Sequence, residues 1–396
     1  MFDKTEEVKV LRDPIHGYIH IEYQVIWNCL NSKEFQRLRR IHQLGGVFQV
    51  YHTAQHTRFS HSLGVYEIVR RMVTENNSIS SALTMQEKVE AFCAGLLHDL
   101  GHGPFSHFFE SLQSISHEER TILLIQDPST EVYQALIREN RELPNQITKI
   151  LRHSHENEIL NQIISSQLDA DRMDYLLRDA YETGTSYGNF DLERVLRTLR
   201  VHDGKLCVKE SGVHSIEDYI MARYHMYWQV YLHPDAKSYE LLVKNFFKRY
   251  RDVDEKIDLI DCLKNENLDN EEFLKMDEYR LMVGIQLASS GKDRILKDLS
   301  YRIFNRHLLE WIENPDLEML KKIKKDTKQK YDVSYYFYED IQALHAYLPY
   351  QEKNPQQTIW ILKPNCTIQP LSNCSQIVKS LLKMENNPNL RVYYAK

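Results

Sequence analysis

The sequence contains few of the residues that interrupt helices. Of its 396 residues only 13 are glycine and 11 are proline, and these two residue types end secondary structure most strongly. Cysteine is also scarce and shows no close pairing, which favours a reduced chain with buried thiols over a disulfide framework. We therefore expect any bound metal to have histidine and carboxylate ligands. The six cysteines are Cys29, Cys93, Cys207, Cys262, Cys366 and Cys374.

The sequence also lacks long apolar runs and an excess of positive charge. No run approaches the roughly 18 apolar residues that a membrane-spanning helix needs, and segment 1–7 is too acidic for a secretory signal. The 50 basic residues are outnumbered by 56 acidic ones, for a net charge of −6. This balance gives no general attraction to nucleic acid or anionic membrane. We therefore predict a cytoplasmic protein that binds neither.

Helical periodicity covers most of the first 250 residues. The pattern predicts a mainly α fold, with a helical core over 1–250 and a smaller α+β lobe over 251–396. Thr84 and Glu87 form a capping-box pattern at the start of one predicted helix. Helices are predicted over 32–43 (with a basic face of Arg37, Arg39 and Arg40), 60–75, 84–97, 117–125, 131–138, 145–151, 158–165, 170–181, 191–199 and 216–232.

Strand signals are few before residue 250. One strand is predicted over 18–22, and a hairpin of strands 199–202 and 205–209 is predicted around the turn dipeptide Asp203-Gly204. Further on, the charged segments 251–278 and 292–330 are predicted to be helical, and the lysine-rich run 321–325 indicates a solvated helix face. Strands are then predicted over 333–338, 358–362 and 391–394.

The most informative feature is the adjacent pair His98-Asp99, which follows a buried apolar run. An adjacent His and Asp can offer an imidazole nitrogen and a carboxylate oxygen to one point, a donor set that suits Zn, Mn, Fe or Mg. The glycines and proline of 101–104 should end the helix here. We therefore expect His102 and His107 to leave the core and face a cleft.

Other segments can complete a metal site around this pair. His61 lies in the first turn of a predicted helix, and Asp171 lies at the start of another. Asp169 is an alternative ligand to Asp171, although Asp169 and Asp174 also fit capping or supporting roles at a helix start. Two His and two Asp, with further His nearby, supply what a phosphohydrolase needs to bind a cation and transfer protons.

These residues resemble the H…HD…D pattern of HD-domain phosphohydrolases. Over roughly residues 8–250 the sequence further resembles the deoxynucleoside triphosphate (dNTP) triphosphohydrolases, a family that includes animal SAM-and-HD-domain enzymes and bacterial relatives. No SAM domain is present, and the last third of the chain matches only loosely. The segments that carry this closer resemblance are 9–17, 35–39, 43–46, 101–107, 171–179 and 224–233.

The resemblance implies a role for each matching residue. The implied metal ligands are His61, His98, Asp99 and Asp171. The implied catalytic residues are His107, which protonates the departing 5′-oxygen, its acidic partner Glu110, and the pair His117 and Glu118. The implied substrate contacts are Gln43, Leu44, Arg58, His102, Arg172, Tyr175, Asp179, Arg223, Tyr227 and Tyr231. The implied contacts to a second, activating nucleotide are Lys9, Val10, Asn31 and Arg39.

The resemblance also implies an activity and its partners. It implies hydrolysis of a dNTP to deoxynucleoside and inorganic triphosphate, with one divalent metal (Mn, Fe, Zn or Mg), Mg on the bound nucleotide, and a homotetramer or dimer. The sequence departs from family members at three positions, having Glu110 for Asp, Asn31 for Asp and Tyr227 for His. Two alternatives stay open: an HD phosphohydrolase acting on another nucleotide, and a nucleotide-sensing protein with little turnover.

Overall fold

The computed structural model describes residues 2–342, 350–352, 357–383 and 389–396, without the side chains of His107 and Gln342. Within this part, α-helices dominate and three small sheets accompany them, which confirms the predicted mainly α class. The helices are α1 (Gln24–Asn31), α2 (Lys33–Arg37), α3 (Arg58–Glu75), α4 (Asn77–Ser80), α5 (Met85–Leu97), α6 (His107–Glu110), α7 (His117–Gln126), α8 (Glu131–Glu139), α9 (Leu143–Leu151), α10 (Glu158–Ile164), α11 (Ala170–Thr183), α12 (Leu192–Thr198), α13 (Val213–Met226), α14 (Pro234–Asp252), α15 (Asn270–Leu274), α16 (Glu278–Ala288), α17 (Arg294–Phe304), α18 (Leu317–Lys330), α19 (Val333–Tyr336) and α20 (Gln376–Leu381).

The strands form three separate sheets. An antiparallel hairpin joins β1 to β2, a second sheet has the order β3-β4-β7-β8, and a third has the order β5-β9-β6. Strand β7 lies after residue 250 but pairs in parallel with β4, so the second sheet joins the two predicted domains. The strands are β1 (Lys4–Asp13), β2 (Gly17–Tyr23), β3 (Leu199–His202), β4 (Lys205–Lys209), β5 (Glu310–Glu313), β6 (Phe337–Gln342), β7 (Trp360–Leu362), β8 (Ile368–Pro370) and β9 (Asn389–Tyr394).

Three helices, α3, α5 and α11, form the centre of the molecule and position the candidate site. The predicted capping box starts α5, because Thr84 accepts from the Glu87 amide and Glu87 accepts from the Thr84 amide. Helix α3 packs against both α5 and α11. The contact with α11 depends on Gly64, where a Cβ would lie 1.8 Å from Asp174 Oδ1. This packing brings the first turns of α3 and α11 to the C-terminal end of α5.

The predicted helix 32–43 is shorter than expected. Helix α2 ends at Arg37 and continues only as a 3-10 turn, Leu38–Arg40. Arg37 does not belong to a solvated basic face, because its side chain is buried and donates to the carbonyls of Met276 and His102, both at 2.9 Å. Arg39 and Arg40 are exposed as predicted.

The regions with weak sequence patterns contain the other corrections. Strand β1 was not predicted, because most of its side chains are exposed and leave no apolar alternation. The helical prediction for 251–278 is wrong outside the last residues of α14, α15 and the start of α16. Arg251 and, from α16, Arg280 donate to the Leu263 and Leu259 carbonyls of this segment, so charged residues fix an irregular backbone.

Four smaller corrections follow. Residues Glu310–Glu313 form a strand inside a predicted helical region, and Val333–Tyr336 form a helical turn where a strand was predicted. The predicted helix 216–232 ends at Met226 and continues as a π-helical turn, Tyr227–Tyr231. All six cysteines are free, and Cys366 is exposed rather than buried. Among the described residues, no helix is long and apolar enough to span a bilayer.

Candidate active site

Four of the predicted metal ligands converge where α3, α5 and α11 meet. His61 Nε2 lies 3.0 Å from Asp171 Oδ1 and 3.7 Å from Asp99 Oδ2. His98 Nε2 lies 3.4 Å from Asp99 Oδ1 and 3.7 Å from Asp171 Oδ1. We call His61, His98, Asp99 and Asp171 the HD cluster. His61, His98 and Asp99 by themselves have donor atoms close enough to share one ion.

The donor set of the HD cluster fits a divalent cation. His98 Nδ1 is hydrogen-bonded to the Gly95 carbonyl at 2.9 Å, which leaves Nε2 as the ligating atom. That Nε2 is buried and has no hydrogen-bond partner in the described part of the chain. A buried polar atom without a partner is unfavourable, and a cation between these His and Asp side chains would satisfy it. The set of two imidazoles and two carboxylates suits Zn, Fe or Mn.

A buried ionic network orients His61 from behind. Asp174 is fully buried and accepts from His61 Nδ1 at 2.8 Å and from His16 Nε2 at 2.6 Å. Arg178 donates twice to Asp174 and also contacts Asp13 at 2.9 Å. A His61 that donates from Nδ1 keeps Nε2 free for the cation. Asp174 therefore has the supporting position considered for it, whereas His16 and Arg178 were not anticipated.

Proton affinity in the HD cluster reflects these contacts. Burial opposes charge on His61, but hydrogen bonds to Asp171 and Asp174 raise its pKa to about 10. Burial also opposes ionisation of Asp171, yet the hydrogen bond from His61 and the charges of His61 and His98 hold the pKa of Asp171 below its usual range. Because a ligating imidazole must be neutral, a cation bound here would compete with a proton on His61.

Asp169 does not point into the HD cluster. It caps α11 by accepting from the Arg172 amide at 2.8 Å, and it pairs with the Arg172 guanidinium. Asp171, two residues on, faces His61. Of the two alternatives that the sequence left open, the geometry favours Asp171 as the ligand.

Arg58 contacts a predicted ligand directly. Its guanidinium donates to Asp99 and, at 2.9 Å, to Ser106 Oγ. Burial raises the pKa of Asp99, but the charge of Arg58 and the contacts with His98 and His102 hold it well below its usual range. Asp99 is therefore a carboxylate even though it is buried. Arg58, which is a predicted phosphate contact, therefore also keeps the predicted metal ligand Asp99 negatively charged.

The loop 101–107 places His102 inside the protein. His102 is buried, which corrects the expectation that it leaves the core. Its Nε2 lies 3.4 Å from Asp99 Oδ1, and its ring stacks on His117 with centroids 3.8 Å apart. Burial and the charge of Arg58 hold the pKa of His102 well below its usual range, so it is neutral. The side chain of His107 lies outside the described residues.

Among the described side chains, Glu110 contacts His117. Its carboxylate is hydrogen-bonded to His117 Nδ1 and accepts from the His117 amide at 3.2 Å. His117 and Glu118 begin α7 and line a cavity of about 100 Å³, which also contains three members of the HD cluster. The described contacts thus pair Glu110 with His117. The lining residues include His98, Asp99, His117, Glu118, Thr121, His153 and Asp171.

Aromatic side chains extend the site away from the HD cluster. The Tyr175 ring lies 6.5 Å from that of His61 and 6.2 Å from that of Tyr231, measured between centroids. Tyr231 donates to Asp179 Oδ2 at 2.6 Å, and His56 Nε2 bonds the other carboxylate oxygen at 2.8 Å. His56 was not anticipated. We call the rings of Tyr175 and Tyr231, together with the Asp179 carboxylate that holds Tyr231, the aromatic wall.

The remaining predicted substrate residues have varied surroundings. Arg223 is buried and donates to Gln167 at 2.9 Å, and Tyr227 contacts the Tyr231 ring at 6.4 Å. Gln43 is buried, and its side-chain oxygen has no hydrogen-bond partner among the described residues. Leu44 is partly buried and packs against the core.

Three of the four predicted effector residues are exposed, and Lys9 is partly buried. Lys9 and Val10 are on β1, and Val10 is exposed. Asn31 donates to the Trp27 carbonyl at 2.7 Å. The Arg39 guanidinium lies over the Phe59 ring, 3.5 Å from its centroid.

Comparison with known proteins agrees with this geometry. The HD domain model matches residues 58–179, and the HD associated region model matches residues 190–396. The uncharacterized protein YwfO of Bacillus subtilis is 39% identical over 407 residues, covering 99% of this chain and 93% of its own. The crystal structure of a phosphohydrolase from Bacteroides thetaiotaomicron is 28% identical, with a TM-score of 0.87, covering 98% of this chain and 100% of that one.

A relative whose name states an activity is less similar in sequence. The deoxynucleoside triphosphate triphosphohydrolase SAMHD1 of Danio rerio is 30% identical over 283 residues, covering 61% of this chain and 45% of the enzyme. Fold, HD cluster and comparisons together define an HD-type phosphohydrolase with a divalent-metal site. The chain belongs to the HD-domain family, and within it to the group related to the dNTP triphosphohydrolases.

Proposed function

We propose that the protein hydrolyses dNTPs to deoxynucleoside and inorganic triphosphate. The observation that supports this most is the aromatic wall, which begins 6.5 Å from the His61 ring and so lies next to the HD cluster. A nucleoside stacked there would bring its 5′-phosphates to the cluster. Similarity to SAMHD1 supports the same substrate class.

In this proposal His61, His98, Asp99 and Asp171 hold the divalent metal. When bound, the metal supplies Lewis-acid stabilisation of charge on a phosphoryl oxygen. Neutral His102 can donate a hydrogen bond to a phosphate oxygen, and His117, held by Glu110, can hold or release a proton at Nε2. His107 is proposed to protonate the departing 5′-oxygen.

The aromatic wall is proposed to select the sugar. Asp179 is held by Tyr231 on one oxygen and by His56 on the other, so the Tyr231 ring is fixed in place. A fixed ring against the sugar excludes a 2′-hydroxyl by contact. Tyr231→Ala should therefore raise the hydrolysis of ribonucleotides relative to deoxyribonucleotides.

The test is incubation with each dNTP and each ribonucleoside triphosphate, with Mg²⁺ or Mn²⁺, followed by product analysis. We expect inorganic triphosphate from dNTPs only. Orthophosphate or pyrophosphate as the sole product indicates another HD phosphohydrolase reaction. Binding without turnover indicates a nucleotide-sensing protein.

The metal ligands are tested in parallel. The double variant His98→Ala, Asp99→Ala should abolish turnover. A matched control is His214→Ala, because the His214 side chain is 95% exposed and pairs with Glu217 instead of a member of the HD cluster. Unchanged turnover in the double variant would show that the site is misassigned.

We also propose that a nucleotide at Lys9, Val10, Asn31 and Arg39 promotes assembly into a tetramer or dimer. The Asn31 side-chain amide both donates and accepts hydrogen bonds, so this site is not limited to bases that donate hydrogen bonds to a carboxylate. Sedimentation with and without dNTPs checks the proposal. A monomer in every condition contradicts it.

A further inference from the structure

Residues at the start of α16, far from the loop in sequence, contact the active-site loop 101–107. Glu278 Oε1 accepts hydrogen bonds from the backbone amides of Phe105 and His42, each at 3.0 Å. Two residues earlier, the Met276 carbonyl accepts from Arg37 Nε at 2.9 Å. The same guanidinium donates from Nη1 to the His102 carbonyl at 2.9 Å. Residues 276–278 are therefore joined to the loop at two points.

Glu278 is not needed to begin its own helix. Asp277 caps α16 by accepting from the Arg280 amide at 2.9 Å. Glu278 is 3% exposed, and its Oε2 has no hydrogen-bond partner in the described part of the chain. Burial raises the pKa of Glu278 to about 7, against the lowering effect of the two amides and of Arg37. Burying such a group is unfavourable at neutral pH, so its contacts suggest a role other than stability.

The loop needs external support. Phe105 and Ser106 have φ values of 57° and 51°, in the left-handed region that non-glycine residues avoid. Residues in this region persist only where their surroundings hold them. Phe105 donates its amide to Glu278, and Ser106 accepts from Arg58 Nη2 at 2.9 Å.

We propose that Glu278 is a positioning residue of the active site. By accepting from the Phe105 amide it fixes the loop that carries His102 and His107, and by accepting from the His42 amide it holds the neighbouring Gln43. Arg37 fixes the other end of the loop at His102. The effect on turnover rests on the proposed function, whereas the effect on the loop does not.

The experiment compares three variants by hydrogen exchange and by steady-state kinetics. Glu278→Ala removes the acceptor. Glu278→Gln keeps an oxygen that can accept from both amides. Glu34→Ala is the matched control, because Glu34 is also fully buried and accepts from two backbone amides, those of Glu131 and Val132 at 3.2 and 3.3 Å.

Glu278→Ala should speed amide exchange in peptides spanning 101–107. It should lower kcat about 100-fold, the scale expected when catalytic groups are displaced by about 1 Å, with little change in KM. Glu278→Gln should restore most of the protection and most of kcat. Glu34→Ala should speed exchange at the start of α8 and leave kcat near the wild-type value.

Unchanged loop exchange and kcat in Glu278→Ala would overturn the proposal, and so would an equal loss of kcat in Glu34→Ala. If Glu278→Ala does not fold, Glu278→Asp replaces it, because the shorter carboxylate cannot reach both amides; the same losses are expected, and wild-type behaviour would overturn the proposal. A wild-type protein that hydrolyses no dNTP, with loop exchange as expected, would refute the proposed function and support the positioning role.

Discussion

Replacing Asp174 with asparagine should weaken metal binding. One Asp174 oxygen accepts from His61 Nδ1 and Arg178 Nε, and the other accepts from His16 Nε2 and Arg178 Nη2. In either orientation the side-chain amide of the Asp174→Asn variant would direct its NH₂ group at an Arg178 donor and at one of the two histidines. If that histidine is His61, Nδ1 must accept from the NH₂ group, so the ring proton moves to Nε2 and the metal loses this nitrogen as a ligand. If it is His16, repulsion from Arg178 displaces the amide.

The size of the effect can be estimated from similar supporting contacts. Loss of a partner that orients a ligating histidine typically costs 10- to 100-fold in metal affinity, or about 1.4–2.8 kcal/mol. The fold should also lose stability, because breaking a buried ion pair costs about 3–5 kcal/mol. Arg178 keeps its contact with Asp13 at 2.9 Å, so we expect the lower end of that range.

The assay is a competition titration of Mn²⁺ between the metal-free protein and a chelator of known affinity. The matched control is Asp13→Asn, which weakens the same Arg178 network without touching His61. Asp13→Asn should lose stability but keep the metal affinity of the wild-type protein within about threefold, since no ligand is reoriented. Equal affinities for Asp174→Asn and the wild type would refute the reasoning, as would equal losses in the two variants.

Two further predictions concern stability. Gly64→Ala should lower the free energy of unfolding by about 1–3 kcal/mol, because the new Cβ would lie 1.8 Å from Asp174 Oδ1 and 2.4 Å from Arg178 Nη2; an unchanged urea midpoint would contradict it. The pKa of Glu278 rises on folding from 4.5 to about 7, so its stabilising contribution is complete below pH 4.5 and is lost as the pH rises through 7. As the pH rises from 4.5 through 7, the free energy of unfolding of the wild type should therefore fall by about 3 kcal/mol more than that of Glu278→Gln, at 1.36 kcal/mol for each pKa unit. Equal pH dependence of the two proteins in urea titrations would disprove this.

The parts of the fold that the sequence predicts are those with strong local signals. Helix α5 carries its own capping box, and α3 and α11 carry clear helical periodicity, so their bounds agree within a few residues. The hairpin of β3 and β4 has a turn dipeptide and was predicted with its observed bounds. By contrast, β1 has mostly exposed side chains, and segment 251–278 is held by side chain to backbone bonds that leave no periodic pattern.

The supports of the site have no such local signal. His16 and Asp174 are 158 residues apart, and Glu278 and Phe105 are 173 residues apart. In the sequence Arg37 looks like one more residue of a basic stripe, and only the tertiary fold shows its contacts with Met276 and His102. The HD cluster was predicted because its residues match a motif, whereas its supports belong to no pattern that the sequence displays.

This separation affects how the HD domain match should be interpreted. Residues 58–179 contain all four members of the HD cluster. His16, which shares Asp174 with His61, lies before this range, and Glu278, which accepts from Phe105, lies beyond it. The motif therefore specifies which atoms can meet a cation, while the N-terminal hairpin and α16 hold those atoms and the adjacent loop in place. Two chains with the same H…HD…D residues can then differ in metal affinity and turnover when these distant contacts differ.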